Sequence, residues 1–178
     1  MPDIESDSDQ QEKLSASLQE IISAMRYDAA SSKDRRSLPE GPLSTVIVFA
    51  GTNGPAKIAA ANLLAEAAAS MVLPVELNGL ISKYIGETEK NVAQFFANAA
   101  DSGATLFFDE ADSLFGKRSE VKDAHDRYAN IETSYLLQRL EDHRGLAILA
   151  LNDTTNLDEA FVRRVRFIIH FPHPDATK

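Results

Sequence analysis

The chain has 178 residues, enough for one domain with a sizeable core. Its 18 basic and 27 acidic residues leave a formal charge of −9, which argues against a general nucleic-acid or anionic-membrane surface, because phosphate contacts need basic patches. Cysteine is absent, so disulfide staples and thiolate chemistry are excluded.

No run of about 18 apolar residues offers a membrane span. The N-terminus, MPDIESDSDQQEK, lacks the basic and apolar regions of a signal peptide, so cytoplasmic residence is the default. Residues 1 to 12 are acidic and polar and are expected to be disordered. Leu14, Leu18, Ile21, Ile22 and Met25 form a helical stripe that can dock on the domain or on a neighbour. Residues 28–42, rich in Ser, Asp, Arg and Pro, read as a linker, so residues 1–42 are set apart from a domain over 43–178.

Thr45 to Ala50 is a β-branched and apolar run that predicts a buried strand. Gly51 to Pro55 supplies turn residues, and an alanine-rich helix is expected from Lys57. Strand, glycine loop, lysine and helix N-terminus together make a phosphate cradle: loop N–H groups and the helix dipole favour an anion, and the lysine meets the outer phosphates. The motif for this device is G-x-x-x-x-G-K-[ST]. Here Gly51, Thr52, Asn53, Gly54, Pro55, Ala56, Lys57 and Ile58 satisfy it at Gly51 and Lys57 only. Ala56 adds a Cβ where the backbone should approach a phosphate closely. Ile58 has no hydroxyl for a magnesium ion, which wants oxygen ligands. The same residues also suit an ordinary strand–turn–helix unit.

Further strands are predicted at Val72–Leu77, Ala104–Phe108, Leu146–Leu151 and Phe167–Phe171. Leu80 to Glu87 reads as a loop, followed by a helix with Val92, Phe95, Phe96 and Ala99 on one face. A charged loop over 116–126 leads to a helix bearing Ala129, Thr133, Leu136, Leu137 and Leu140, and Leu157–Arg164 is a short helix. Continuously apolar strands alternating with helices predict a parallel sheet covered on both faces. Ligands in such sheets sit at the carboxyl ends of the strands, where Gly51, Asp109 and Asn152 fall.

Asp109 and Glu110 directly follow the apolar run Leu106–Phe108. An acid placed there in a phosphate-loop domain holds magnesium, and a second acid beside it can orient and deprotonate the attacking water; a solvated strand end is the plainer alternative. Asn152, ending the next strand, can position the same water or simply start a turn. Arg163, Arg164 and Arg166 are either surface charge or an arginine finger offered across a subunit boundary, worth roughly 10³ to 10⁵ in rate. Tyr84, in Lys83-Tyr84-Ile85-Gly86, is either a buried aromatic or one that grips a substrate.

From Thr45 to Asp175 the chain resembles the large α/β subdomain of an AAA+ ATPase, near the AAA proper clade. The likeness rests on three ordered blocks: SKYIGETEKN (Ser82–Asn91), LFFDEADSLFGKR (Leu106–Arg118) and LALNDTTNLDEAFVRRVRF (Leu149–Phe167). It implies a P-loop NTPase three-layer sandwich with a five-stranded parallel sheet in the order 5-1-4-3-2. By resemblance, Asp109 and Glu110 match the Walker B acids and Asn152 the sensor-1 polar residue. Arg163 and Arg166 match paired arginine fingers, and Lys83, Tyr84, Ile85 and Gly86 the first pore loop. Asp126 to Asn130 further resembles bacterial AAA+ ATPases encoded beside phage-tail-like contractile assemblies.

The chain departs from the family at the Walker A loop, through Ala56 and Ile58. The sequence stops at Lys178, where the resemblance expects a small helical lid to begin, so a lid is expected to be absent from this core. Both departures predict weaker nucleotide affinity. The implied activity is that of an ATPase core that binds ATP or ADP, with magnesium weak or absent given Ile58. Assembled in a ring with itself or other AAA+ subunits, it would remodel a protein client. The rival is a non-catalytic AAA+-like subunit that contributes arginine fingers in trans. A DNA-processing role is disfavoured by the acidic balance and the lack of a basic stripe.

Overall fold

The computed structural model describes residues 7–33, 44–80, 87–115, 134–157 and 159–173. The elements run α1 (Asp7–Lys33), β1 (Ser44–Ala50), α2 (Gly54–Ala67), β2 (Val72–Val75), α3 (Leu77–Leu80), α4 (Glu87–Ser102) and β3 (Thr105–Phe108), then a 3-10 turn over Ala111–Leu114. A helix at 134–142 (α5), β4 (Gly145–Leu151), α6 (Glu159–Val162) and β5 (Phe167–His170) complete the described chain.

The five strands form one parallel sheet in the order β2-β3-β4-β1-β5, which is the expected order read from the other edge. Alternate residues of each strand feed two cores, because successive side chains point to opposite faces. Val46, Val48, Leu106, Phe108, Ala147, Leu149 and Leu151 pack with Val92, Phe96 and Ala99 of α4 and Leu136 and Leu140 of α5. Ile47, Phe49, Phe107, Leu146, Ile148 and Ala150 pack with Ala60, Ala61 and Leu64 of α2 and Ile21 of α1. Both faces are thus dry, which is why the strands read as unbroken apolar runs rather than alternating ones.

The N-terminal helix is longer than its apolar stripe announces. The expected disorder up to residue 12 and the expected linker from residue 28 give way to helix from Asp7 to Lys33. Ile21, 1% exposed, anchors it in the α2-side core, with Leu14, Leu18, Ile22 and Met25 packed alongside. Once packing fixes the middle turns, each further residue adds a hydrogen bond at little cost, so polar ends propagate the helix. Strand β2 is shorter than expected: it stops at Val75, and Leu77, buried, begins a single helical turn instead.

Register sets the site. Ala50 lies opposite Leu151 and His170, so Gly51, Asn152 and Phe171 leave the sheet at one level. Phe108 lies opposite Leu149 while β4 continues to Leu151, so β3 ends two positions lower. That stagger lets the turn after β3 rise against the end of β4.

Candidate active site

The centre of the site is a peptide group, the one joining Leu151 to Asn152. Its carbonyl accepts from Gly51 N at 3.0 Å and from the Lys57 ammonium at 2.7 Å. Its N–H donates to Asp112, with the two carboxylate oxygens at 3.0 and 2.9 Å, and the next amide, Asp153 N, reaches the same carboxylate at 3.2 Å. Lys57 is only 3% exposed. Burial pushes its pKa below the ordinary lysine range, and the carboxylates of Asp109 and Asp112 oppose that shift. A buried ammonium is costly unless hydrogen-bonded and paired. Here one carbonyl and two nearby acids meet it.

The loop before it is held by the fold. Gly51 has φ +123°, and a Cβ there would lie 2.4 Å from the carbonyl oxygen of Phe171, so glycine is required on both counts. Phe171 N in turn donates to Ala50 O at 2.7 Å, and its ring packs on Phe49. The helix then begins at Gly54, three residues earlier than the expected start at Lys57. The cause is local: Asn53 caps it, its side-chain oxygen accepting from Ala56 N at 3.2 Å, and Pro55 sits in the first turn.

This capping alters the cradle. Gly54 N donates to Thr52 O and Lys57 N to Asn53 O, both at 3.1 Å, while Ala56 N is taken by Asn53; Pro55 has no N–H. Three N–H donors at the start of the helix are thus engaged within the loop. Ile58 is 49% exposed and presents only hydrocarbon.

Asp109 and Glu110 are both exposed at the end of β3. Glu110 occupies the left-handed region at φ 50°, ψ 38°, and its N–H donates to Asp109 Oδ1 at 2.9 Å. Asp109 offers carboxylate oxygen to a divalent cation, yet no group of three His, Cys, Asp or Glu side chains suited to a metal occurs among the described residues. Ile58, in place of a hydroxyl residue, adds no oxygen that could serve beside Asp109 as a magnesium ligand.

Of the three arginines, Arg164 is tied to Glu141 of α5. Arg163 lies 3.6 Å from Glu159 in a pair whose side chains are 78% and 92% exposed, so the contact holds it weakly. Arg166 donates its backbone N–H to Val46 O at 2.9 Å and sets its guanidinium 5.5 Å from the Phe167 ring. Lys83, Tyr84, Ile85 and Gly86, and the block Asp126–Asn130, lie outside the described residues. The structure therefore gathers Gly51, Lys57, Asp109 and Asn152 at one edge, with Glu110 beside them. It also adds Asp112 and the Leu151 carbonyl, which the sequence reading missed. Asp112 carried a signal, standing three residues after Asp109; a backbone carbonyl carries none.

A family profile described as "ATPase family associated with various cellular activities (AAA)" matches residues 47–173. The chain is similar to the SUPPRESSOR OF K(+) TRANSPORT GROWTH DEFECT 1 protein of Arabidopsis thaliana, 34% identical over 131 residues, covering 71% of this chain and 30% of that protein. Human fidgetin-like protein 1 is 30% identical over 143 residues, covering 77% and 21%. The 26S proteasome regulatory subunit 4 homolog B of Arabidopsis thaliana is 32% identical over 169 residues, covering 91% and 38%. The chain thus spans well under half the length of these relatives. Among solved structures, a chain of the Escherichia coli MS115-1 HORMA:CdnC:Trip13 complex superposes with a TM-score of 0.60 at 18% identity, covering 95% of this chain and 63% of that one, a likeness of fold. By the extent of the profile match and by the sheet order, the chain belongs to the AAA ATPase family.

Proposed function

We propose that this chain is a nucleotide-binding AAA+ core whose own site hydrolyses ATP under a weak grip, and that it works in a ring with copies of itself or with other AAA+ subunits to remodel a protein client. The observation that carries this reading is Lys57, an ammonium sunk at the carboxyl edge of the sheet beside Asp109, Asp112 and the Asn152 turn. Bound ATP supplies the phosphoanhydride to be cleaved. Lys57 exchanges the Leu151 carbonyl for phosphate oxygens, Glu110 takes the proton of the attacking water, and the Asn152 side chain orients that water. Arg163 and Arg166 serve a neighbour's nucleotide, and Tyr84 with Lys83, Ile85 and Gly86 meets the client. Ile58 withholds the hydroxyl that would ligate magnesium, so the metal is held weakly in this reading. The acidic balance is consistent with a protein rather than a nucleic-acid client, and no described helix is long and apolar enough to cross a membrane.

A second reading, a non-catalytic subunit supplying its arginines in trans, is favoured by one observation: the N–H groups of Gly54, Ala56 and Lys57 are already bonded within the loop. Titration calorimetry with Mg-ATP, Mg-ADP and metal-free ADP separates the two. Weak heats of similar size for Mg-ADP and metal-free ADP are expected. No binding of any of the three overturns the first reading in favour of the second, and tight binding that requires magnesium overturns the metal-poor site.

A further inference from the structure

We propose that Asp112 is a positioning residue, and that it keeps Asn152 in register with the water-activating acids while Lys57 moves between the protein and the nucleotide. The inference rests on the ATPase reading above. Two sides of one peptide group carry it. On the carbonyl side, Gly51 N and the Lys57 ammonium both hold Leu151 O. On the amide side, the Asp112 carboxylate receives Asn152 N through both oxygens and Asp153 N through one. Lys57 can serve a phosphate only by giving up its 2.7 Å bond to Leu151 O. At that moment the carbonyl keeps a neutral amide donor alone, and charge-assisted bonds are roughly twice as strong as neutral ones. The clamp that remains on the Asn152 turn is then Asp112. It stands on the 3-10 turn that starts immediately after Glu110, so one short segment carries both the acid and the carboxylate that holds Asn152.

The test uses the full chain in its assembled form, with Asp112→Ala, Asp112→Asn, Asn152→Ala and the double variant Asp112→Ala/Asn152→Ala. Hydrogen exchange over residues 151–154 reads the clamp itself: Asp112→Ala is expected to speed exchange at least tenfold. Asp112→Asn keeps one oxygen for the two amides and should stay within about threefold of the unsubstituted chain. At saturating ATP, Asp112→Ala should lower phosphate release at least tenfold, a larger factor than any loss of nucleotide affinity, since Asp109 still supports the charge of Lys57. The double variant should be no slower than Asn152→Ala, and Asp112→Asn should recover most of the rate. Asp112→Asn also keeps the test open if Asp112→Ala fails to fold. Unchanged exchange, a loss that appears in affinity rather than rate, or losses that multiply in the double variant each overturn the proposal. An unsubstituted assembly that neither binds nucleotide nor releases phosphate removes the ATPase reading and this role with it. An active assembly indifferent to Asp112 removes this role alone.

Discussion

At the carboxyl edge of the sheet, the corner from β1 into α2 and the corner where β3 meets β4 are built by opposite means. In the first, polar groups are spent on the protein: Asn53 caps the helix, Thr52 and Asn53 carbonyls take the amides of Gly54 and Lys57, and Lys57 bonds to Leu151. In the second, acids face solvent, Glu110 is held in a left-handed conformation, and Asp112 fixes the Asn152 turn. One corner is closed on itself while the other leaves its acids open to solvent. On the ATPase reading proposed above, the contrast predicts that turnover is limited by how well nucleotide is gripped and not by the groups that act on it.

The largest expected effects test the groups proposed to act on nucleotide, at the open corner and between α6 and β5. In the assembled protein, Arg163→Ala with Arg166→Ala should depress phosphate release by roughly 10³ to 10⁵. Glu110→Gln should depress it by roughly 10² to 10⁴. Phosphate release at saturating ATP measures both. If the arginine pair matters and Glu110→Gln is silent, this chain serves only its neighbours and the contrast has been misjudged.

Next comes the rigidity of the closed corner. Gly51→Ala forces a Cβ against Phe171 O in a backbone region that disfavours it, and a loss of about 2–4 kcal/mol is expected. Urea unfolding measures it; a change within 0.5 kcal/mol, roughly that of an ordinary surface substitution, would mean that β5 does not brace the loop. A smaller effect follows from reopening the corner chemically. Ala56→Gly with Ile58→Thr should tighten Mg-ATP binding at least about tenfold, or about 1.4 kcal/mol. Calorimetry decides, and an unchanged Kd would show that Asn53, not Ala56 and Ile58, closes the site.

The weakest effect lies at the far end of β4. His143 is buried, its ring edge-on to Phe96, and its Nε2 finds no hydrogen-bond partner among the described residues. Burial pushes its pKa below the ordinary histidine value. Above about pH 6.5 the ring is neutral in both folded and unfolded chains, and its titration contributes no pH dependence. As pH falls through that value the unfolded chain takes the proton first. Stability is therefore lost on acidification, until the folded-state pKa is reached, by at most about 1.4 kcal/mol per pH unit. Thermal melts at pH 7.5 and 5.5 should show the slope, and His143→Leu should flatten it. An unaltered slope assigns it to other groups.

The sheet was legible in the sequence because strands buried on both faces announce themselves as apolar runs, and all five appear within two residues of where they were expected. Helix ends were less legible. The α2 start depends on one Asn53 oxygen, and the length of α1 depends on Ile21 finding a core formed by strands far along the chain. At the site, Asp109, Glu110 and Asn152 could be named from strand ends, and Lys57 from the glycine loop and helix that follow β1. The meeting of Lys57 and Asp112 on the two sides of the Leu151–Asn152 peptide could not, since it depends on a main-chain carbonyl and on Asp112, 40 positions before its partner.

The conformation of Glu110 bears on how this site persists. A non-glycine residue at φ 50° stores on the order of 1 kcal/mol or more that glycine, or to a lesser degree asparagine, would release. Folding stability therefore pulls against the acid at this position. Glycine here would release that cost and remove the carboxylate with it, so stability and the proposed chemistry favour different residues at this one position.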